Sequence, residues 1–122
     1  MISVGLIGCG DVAENGHVPA LTRHPKFRIA AVCDLSAERA ALLGNRAGGV
    51  PCYSDWRKML NSEKLEAVVI ALPPEISTEV ALGCLDRNLA VLDEKPLAAS
   101  LADGHRLSRV VNEGKHVYQS GF

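Results

Sequence analysis

The apolar run Ile2-Ser3-Val4-Gly5-Leu6-Ile7 leads straight into Gly8-Cys9-Gly10-Asp11-Val12-Ala13, a strand that ends in a glycine turn and opens a helix. Few local patterns restrict a fold as much. Gly8 suits a tight turn, Gly10 allows a ligand to come close to the backbone, and Ala13 allows a helix to pack closely on the strand before it. The N–H groups of Gly8, Cys9, Gly10, Asp11 and Val12 then fall at a helix start, where the helix dipole favours negative charge such as a pyrophosphate. A glycine pattern alone is weak, and a purely structural turn is the alternative. The position directly after a strand and before a helical pattern is what makes a dinucleotide site the reading.

A chain of 122 residues is one domain, 1–122, by any length prior, and has no room for a separate substrate domain. Hydrophobic residues make up 48% and charged residues 22%, an ordinary globular balance. The net charge of -1 offers no general attraction to nucleic acid or to an anionic membrane, so small molecules or protein are the expected partners. Cys9, Cys33, Cys52 and Cys84 are spaced too widely for a zinc or thioredoxin-like motif. They read as small hydrophobes in a reducing compartment, with no metal site. No basic segment precedes the first apolar run, and Gly8 interrupts it early, which points to a cytoplasmic protein without signal peptide or membrane span.

Strand-like runs recur at 2–7, 28–33, 66–72, 89–92 and 116–119, with a weaker one at 49–53. Helical patterns alternate with them at 11–22, 36–46 and 55–62, from Pro73-Pro74 to a left-handed cap at Asn88, and from Ser100 to Gly114. The stripe Ile76, Val80, Ala81, Cys84 and Leu85 reads as the buried face of the fourth helix, and Trp56 as a packing anchor of the third. Continuous apolar strands separated by helices argue for an α/β fold of three layers, a doubly wound parallel sheet with strand order 3-2-1-4-5-6.

Three further points fall on the edge of that sheet where ligands bind. Asp34 closes the second apolar run, where its carboxylate is placed to accept adenosine-ribose hydroxyls and to repel a 2′-phosphate; NAD is therefore preferred to NADP. Capping of the second helix is the plainer role for this residue. Leu72-Pro73-Pro74 ends the fourth strand beside the expected crevice, although a loop with a proline helix start gives the same pattern. Glu94-Lys95-Pro96 follows the fifth strand. Lys95 can bond a substrate oxygen and assist proton transfer if burial lowers its pKa, with Glu94 orienting it or the nicotinamide end, and an ordinary loop ion pair is the competing account.

Taken together, Val4-Gly5-Leu6-Ile7-Gly8-Cys9-Gly10, His17-Val18-Pro19-Ala20-Leu21, Ala31-Val32-Cys33-Asp34, Tyr53-Ser54-Asp55-Trp56, Val68-Val69-Ile70-Ala71-Leu72-Pro73 and above all Glu94-Lys95-Pro96 resemble the amino-terminal, Rossmann-like domain of the Gfo/Idh/MocA oxidoreductases. The resemblance covers essentially the whole chain. It implies that Lys95 is a catalytic residue beside the nicotinamide and the substrate. It also implies a carboxyl-terminal substrate domain, absent from these 122 residues, that supplies much of a sugar or polyol pocket. Ser77 stands where the family commonly has His and cannot reproduce an imidazole's titration. His17, His24, His105 and His116 read as surface or cap residues, with His17 engaged in packing.

The expected function is the NAD-binding half of a dehydrogenase or reductase acting on a sugar, polyol or related hydroxy or keto compound, with weak or no turnover by the isolated chain. The alternative is a noncatalytic dinucleotide-binding or regulatory module that pairs with another chain. Self-association through a surface left without its usual cover is a third reading.

Overall fold

The chain alternates strand and helix along its length, and the computed structural model describes residues 1–121. Strand β1 (Ile2–Ile7) runs through the glycine turn into a π-helical turn, Ala13–His17, that continues as helix α1 (Val18–Arg23). There follow β2 (Phe27–Cys33), α2 (Ala37–Arg46), β3 (Cys52–Tyr53), α3 (Trp56–Ser62), β4 (Ala67–Ile70), α4 (Pro74–Asp86), β5 (Ala90–Asp93), α5 (Leu101–Glu113) and β6 (Tyr118–Ser120). All pairings are parallel, in the order β3-β2-β1-β4-β5-β6. The doubly wound sheet expected from the sequence is the one observed. Among the described residues, no helix is long and apolar enough to cross a membrane.

The ends of the helices follow from local chemistry. Ser36 caps α2 by accepting from the Arg39 N–H, Asp55 caps α3 by accepting from Arg57, and Ser100 caps α5 by accepting from Asp103. Asn88 closes the turn after α4 with φ of 59°, the left-handed conformation that Asn tolerates well. The first helix departs from expectation: the run 11–23 is helical, but its middle is wound as a π turn rather than a regular α-helix.

Two apolar layers cover the two sheet faces. On one side Val18 and Leu43, from α1 and α2, pack with Val4, Leu6, Val32 and Val69. On the other, Met59, Val80, Ala81, Leu85 and Leu107, from α3, α4 and α5, pack with Ile7, Ala31, Ile70 and Val91. The chain thus changes face between β3 and β4, so the connections that leave the adjacent strands β1 and β4 part in opposite directions. A crevice opens where they part. The register lines up Cys33, Ile7, Ile70, Asp93 and Ser120 across the sheet, so the residues just beyond, Asp34, Gly8, Ala71 and Glu94, form the lip of that crevice.

Candidate functional site

Gly8 has φ of +99°, and a Cβ at that position would run into the carbonyl oxygen of Ala71, on the far lip. Only glycine lets β1 and the end of β4 approach this closely. Around Gly10, by contrast, an added Cβ would meet nothing within 4 Å. Its missing side chain therefore leaves open space at the mouth of the crevice rather than relieving a contact inside the protein. Ala13, only 1% exposed, lies against β1 as close helix packing requires.

Asp34 ties the turn to the end of β2. One carboxylate oxygen accepts from the Cys9 N–H at 2.7 Å and the other from the Ser36 N–H at 2.8 Å. Its role is not that of a helix cap, since Ser36 caps α2. The same bonds correct the expectation for Cys9, whose N–H is committed to Asp34 and whose buried thiol contacts the Cys33 carbonyl. Cys9 is a strut beneath the turn, not an open donor. Burial pushes its thiol up to about 12, with Asp34 adding to the effect, and burial raises Cys33 to about 11 and Cys84 to about 12.

Two adjoining cavities occupy the crevice. One, of about 450 Å³, lies between Gly8, Gly10 and Asp11 on one side and Asp34, Leu72 and Pro73 on the other. The second, of about 220 Å³, joins Gly10, Asp11 and Val12 to Leu72, Glu94 and Lys95. The sequence-derived residues are thus brought to one edge, except that Cys9 and Pro74 line neither cavity, Cys9 being buried beneath the turn and Pro74 forming the first turn of α4. Lys95 is exposed at the outer end, and Glu94 turns away from it: His17 Nε2 donates to Glu94 Oε1 at 2.8 Å. The expectation that His17 serves packing is therefore corrected to a hydrogen-bonding role. It bridges the helix after the glycine turn to the loop after β5.

Several residues of the crevice escaped sequence reasoning. Ile76, expected in the buried stripe of α4, is 44% exposed and lines the larger cavity with Leu35, which is 87% exposed. Its spacing to Val80 is correct for one face, but the first turn of α4 stands beyond the end of β4, where there is no sheet to cover it. Arg39, in the first turns of α2, lines the same cavity as Asp34. Next to it a more apolar hollow of about 330 Å³ runs from Asp34 and Leu35 to Trp56 and Ile76. Apolar walls beside a carboxylate suit a flat base carrying a ribose. Ser77 is buried, its hydroxyl donating to the Pro74 carbonyl at 3.5 Å, so it faces away from the crevice. His24 accepts from the Lys26 N–H, and His105 is exposed on α5, away from the crevice edge.

Asp93 was also missed. The last residue of β5, it is 1% exposed; Oδ2 accepts from the Tyr118 hydroxyl at 2.9 Å, while Oδ1 has no partner. Burial pushes its carboxyl up to about 6, assisted by Glu94 and opposed by the Tyr118 bond, and burial with the adjacent Asp93 raises Tyr118. Among the described residues no group of three or more His, Cys, Asp or Glu side chains is arranged to hold a metal ion.

Comparison with known proteins gives one family. The model of the oxidoreductase family with an NAD-binding Rossmann fold, GFO_IDH_MocA, matches residues 2–122. An inositol 2-dehydrogenase of Rubrobacter xylanophilus is 38% identical over 127 residues, which cover 99% of this chain and 35% of that protein. A dehydrogenase structure from Chromobacterium violaceum superposes with a TM-score of 0.93 at 31% identity, over 99% of this chain and 35% of its own. KijD10, a 3-ketoreductase from Actinomadura kijaniata solved with TDP-benzene and NADP, gives 0.89 at 30% identity, over 99% and 38%. The chain spans about a third of the length of the relatives it matches.

Proposed function

The chain belongs to the Gfo/Idh/MocA oxidoreductase family, and we propose that it forms the cofactor-holding part of an NAD-dependent dehydrogenase or reductase for a sugar, polyol or related hydroxy or keto compound. The observation that carries this reading is the open space at Gly10, set between a ribose-accepting carboxylate at one end of the crevice and Lys95 at the other. A nicotinamide dinucleotide fits that layout: the turn meets its pyrophosphate, the hollow by Leu35 and Ile76 its adenine, and the Glu94–Lys95 end its nicotinamide. When bound, this cofactor supplies or accepts a hydride.

Asp11 and Val12 contribute N–H groups at the start of the helical run, and Asp34 keeps two N–H bonds while its exposed lone pairs face the ribose. Leu72 and Pro73 form the wall opposite the turn. Lys95, exposed on the lip, would hold the substrate oxygen and pass a proton to or from it, and Glu94 with His17 fixes the base of that loop. The substrate side of the pocket is proposed to come from a further domain, in keeping with relatives that are about three times as long. The names of those relatives, an inositol dehydrogenase and a 3-ketoreductase, support a polyhydroxylated ring as the substrate class. Buried thiols not joined in disulfides at Cys9, Cys33 and Cys84 suit a reducing, cytoplasmic setting.

For cofactor choice, Asp34 and Arg39 act in opposite senses. The carboxylate lies on the crevice lip and repels a 2′-phosphate, whereas the guanidinium attracts one. Asp34 is the closer to the turn and hydrogen-bonded to it, so NAD is expected to bind about tenfold more tightly than NADP. Calorimetry of both forms on this chain tests the reading, with Asp34→Ala and Gly10→Ala alongside. Loss of NAD affinity in both variants, with a narrowed preference in Asp34→Ala, is expected. Equal binding by wild type and Gly10→Ala would place the cofactor elsewhere and overturn it.

A further inference from the structure

The Glu94–Lys95 turn rests on a chain of polar contacts that the cofactor reading leaves unexplained. On one side of the sheet the Tyr118 hydroxyl of β6 donates to Asp93 Oδ2 at 2.9 Å, and on the other His17 donates to Glu94 at 2.8 Å. The backbone joins the two, since the Gly121 N–H donates to the Asp93 carbonyl at 2.8 Å and the Glu94 N–H to the Ile70 carbonyl at 2.9 Å. Adjacent residues of an extended strand point to opposite faces, so Asp93 and Glu94 anchor the same turn from opposite sides of the sheet. Asp93 is the less comfortable of the two anchors. It is buried, and its second oxygen lacks a partner, as do the buried hydroxyls of Ser120, its register partner on β6, and of Thr78 on α4, the helix packed over β4 and β5.

We propose that Asp93 is a positioning residue for Lys95: its buried carboxyl, held by Tyr118, sets the pose of the Glu94–Lys95 turn, and taking up or losing one proton there changes that pose. The inference rests on the proposed role of Lys95 at the nicotinamide end of the crevice. Its physical basis is the cost of burying a carboxylate in a site with one side-chain hydrogen-bond donor, to which the charge of the neighbouring Glu94 adds. The carboxyl titrates near 6 rather than in the usual carboxylate range, so the change falls within an ordinary range of solution pH. The groups facing it are few. Tyr118 comes from β6 and Cys84 from α4, whose thiol stays neutral with its pKa near 12, while Glu94 acts on Asp93 only through its charge, from the other side of the sheet. Ile70 of β4 and Leu107 of α5 add only apolar surface.

Above the titration of Asp93 the turn carries two adjacent negative charges, with His17 bound to one of them. Below it Asp93 is neutral, its repulsion of Glu94 is gone, and the His17 hydrogen bond is the side-chain contact that holds Glu94. The position of the Lys95 backbone should therefore follow the protonation of a residue that lies beneath the sheet edge and does not line the crevice cavities. A purely structural Asp93 would affect stability and leave the turn's pH response untouched.

The test needs no cofactor, so its failure is distinguishable from failure of the dehydrogenase reading. The carboxyl carbon of Asp93 and the backbone amides of Glu94 and Lys95 are followed by NMR from pH 4.5 to 8 on the whole chain. Variants are Asp93→Asn, which keeps an acceptor for Tyr118, and Tyr118→Phe, with His17→Gln to remove the imidazole beside Glu94. The expected result is a shared midpoint near 6 for the Asp93 carboxyl and the Lys95 amide, retained in His17→Gln. The amide step should vanish in Asp93→Asn. In Tyr118→Phe it should move upward by about one pH unit, because a bond that stabilises the carboxylate is lost. Should Asp93→Asn fail to fold, the direction of the Tyr118→Phe shift carries the decision. A Lys95 amide that titrates unchanged in Asp93→Asn, or a midpoint unmoved in Tyr118→Phe, would overturn the proposal.

Discussion

Two glycines two residues apart do opposite jobs. Gly8 is required by the protein itself, because its positive φ and the nearby Ala71 carbonyl leave no room for a side chain. Gly8→Ala should cost about 3 kcal/mol of stability, read as a lower urea midpoint. On the proposed function Gly10 instead serves whatever enters the crevice, so Gly10→Ala should unfold within about 0.5 kcal/mol of wild type while losing roughly tenfold or more in dinucleotide affinity. Finding both variants equally destabilised would mean that Gly10 too is structural. Asp93 makes a second residue-scale prediction. Its pKa is about 6 in the fold against 3.8 as the ordinary value, so between those pH values the native state holds more protons than the unfolded chain. The contribution of this group to stability is largest below about pH 4 and is lost as pH rises through about 6, a change of ~3 kcal/mol. Subtracting the urea unfolding free energies of Asp93→Asn from those of wild type, pH by pH, should show that fall, and a flat difference would contradict it.

At the scale of elements, α3 and α4 are locked by one contact. Gly83 in α4 lies directly under the Trp56 ring, and a Cβ added there would collide with it. In an exposed helix, Gly to a larger residue usually gains up to about 1 kcal/mol from propensity. Here the ring is wide, part-buried and backed by the Arg57 guanidinium at 4.3 Å, so overpacking at about 1–3 kcal/mol should win. Gly83→Val is expected to lower the thermal midpoint, and a rise would show that the ring moves aside freely. Trp56 was legible in the sequence as an anchor, but its partner was not, because glycine carries no pattern of its own. The π turn at Ala13–His17 was equally hidden. It delivers His17 to Glu94, 77 residues away in sequence, and no local signal reports such a pairing.

Over the whole molecule the sheet is unevenly protected. β1 is paired on both sides along most of its length, whereas the outer strands β3 and β6 have two and three residues and one neighbour each. Native-state hydrogen exchange should find Leu6, Ile7 and Val69 slowest, exchanging only through global unfolding, and the β6 amides much faster. Comparable protection in β6 would mean that the outer edge is tied down more firmly than its pairings suggest. On the proposed role of Lys95 that gradient bears on function, since the Tyr118–Asp93 contact lies at the weaker side of the sheet.

The alternation of strands and helices, and the placing of Gly8, Gly10 and Asp34 at strand ends, were fixed by short-range information: apolar runs, caps, and a turn that only glycine can make. Such features act within a few residues, so the sequence displays them directly. The rest came from tertiary structure. Ile76 turns from core to crevice because the sheet beneath it ends, Cys9 becomes a strut because Asp34 returns from the next strand to take its N–H, and Glu94 faces His17 rather than Lys95. Asp93 acquires its character from desolvation and from Tyr118, 25 residues away in sequence. Burial and long-range pairing set these energies, and neither exists until the sheet has formed.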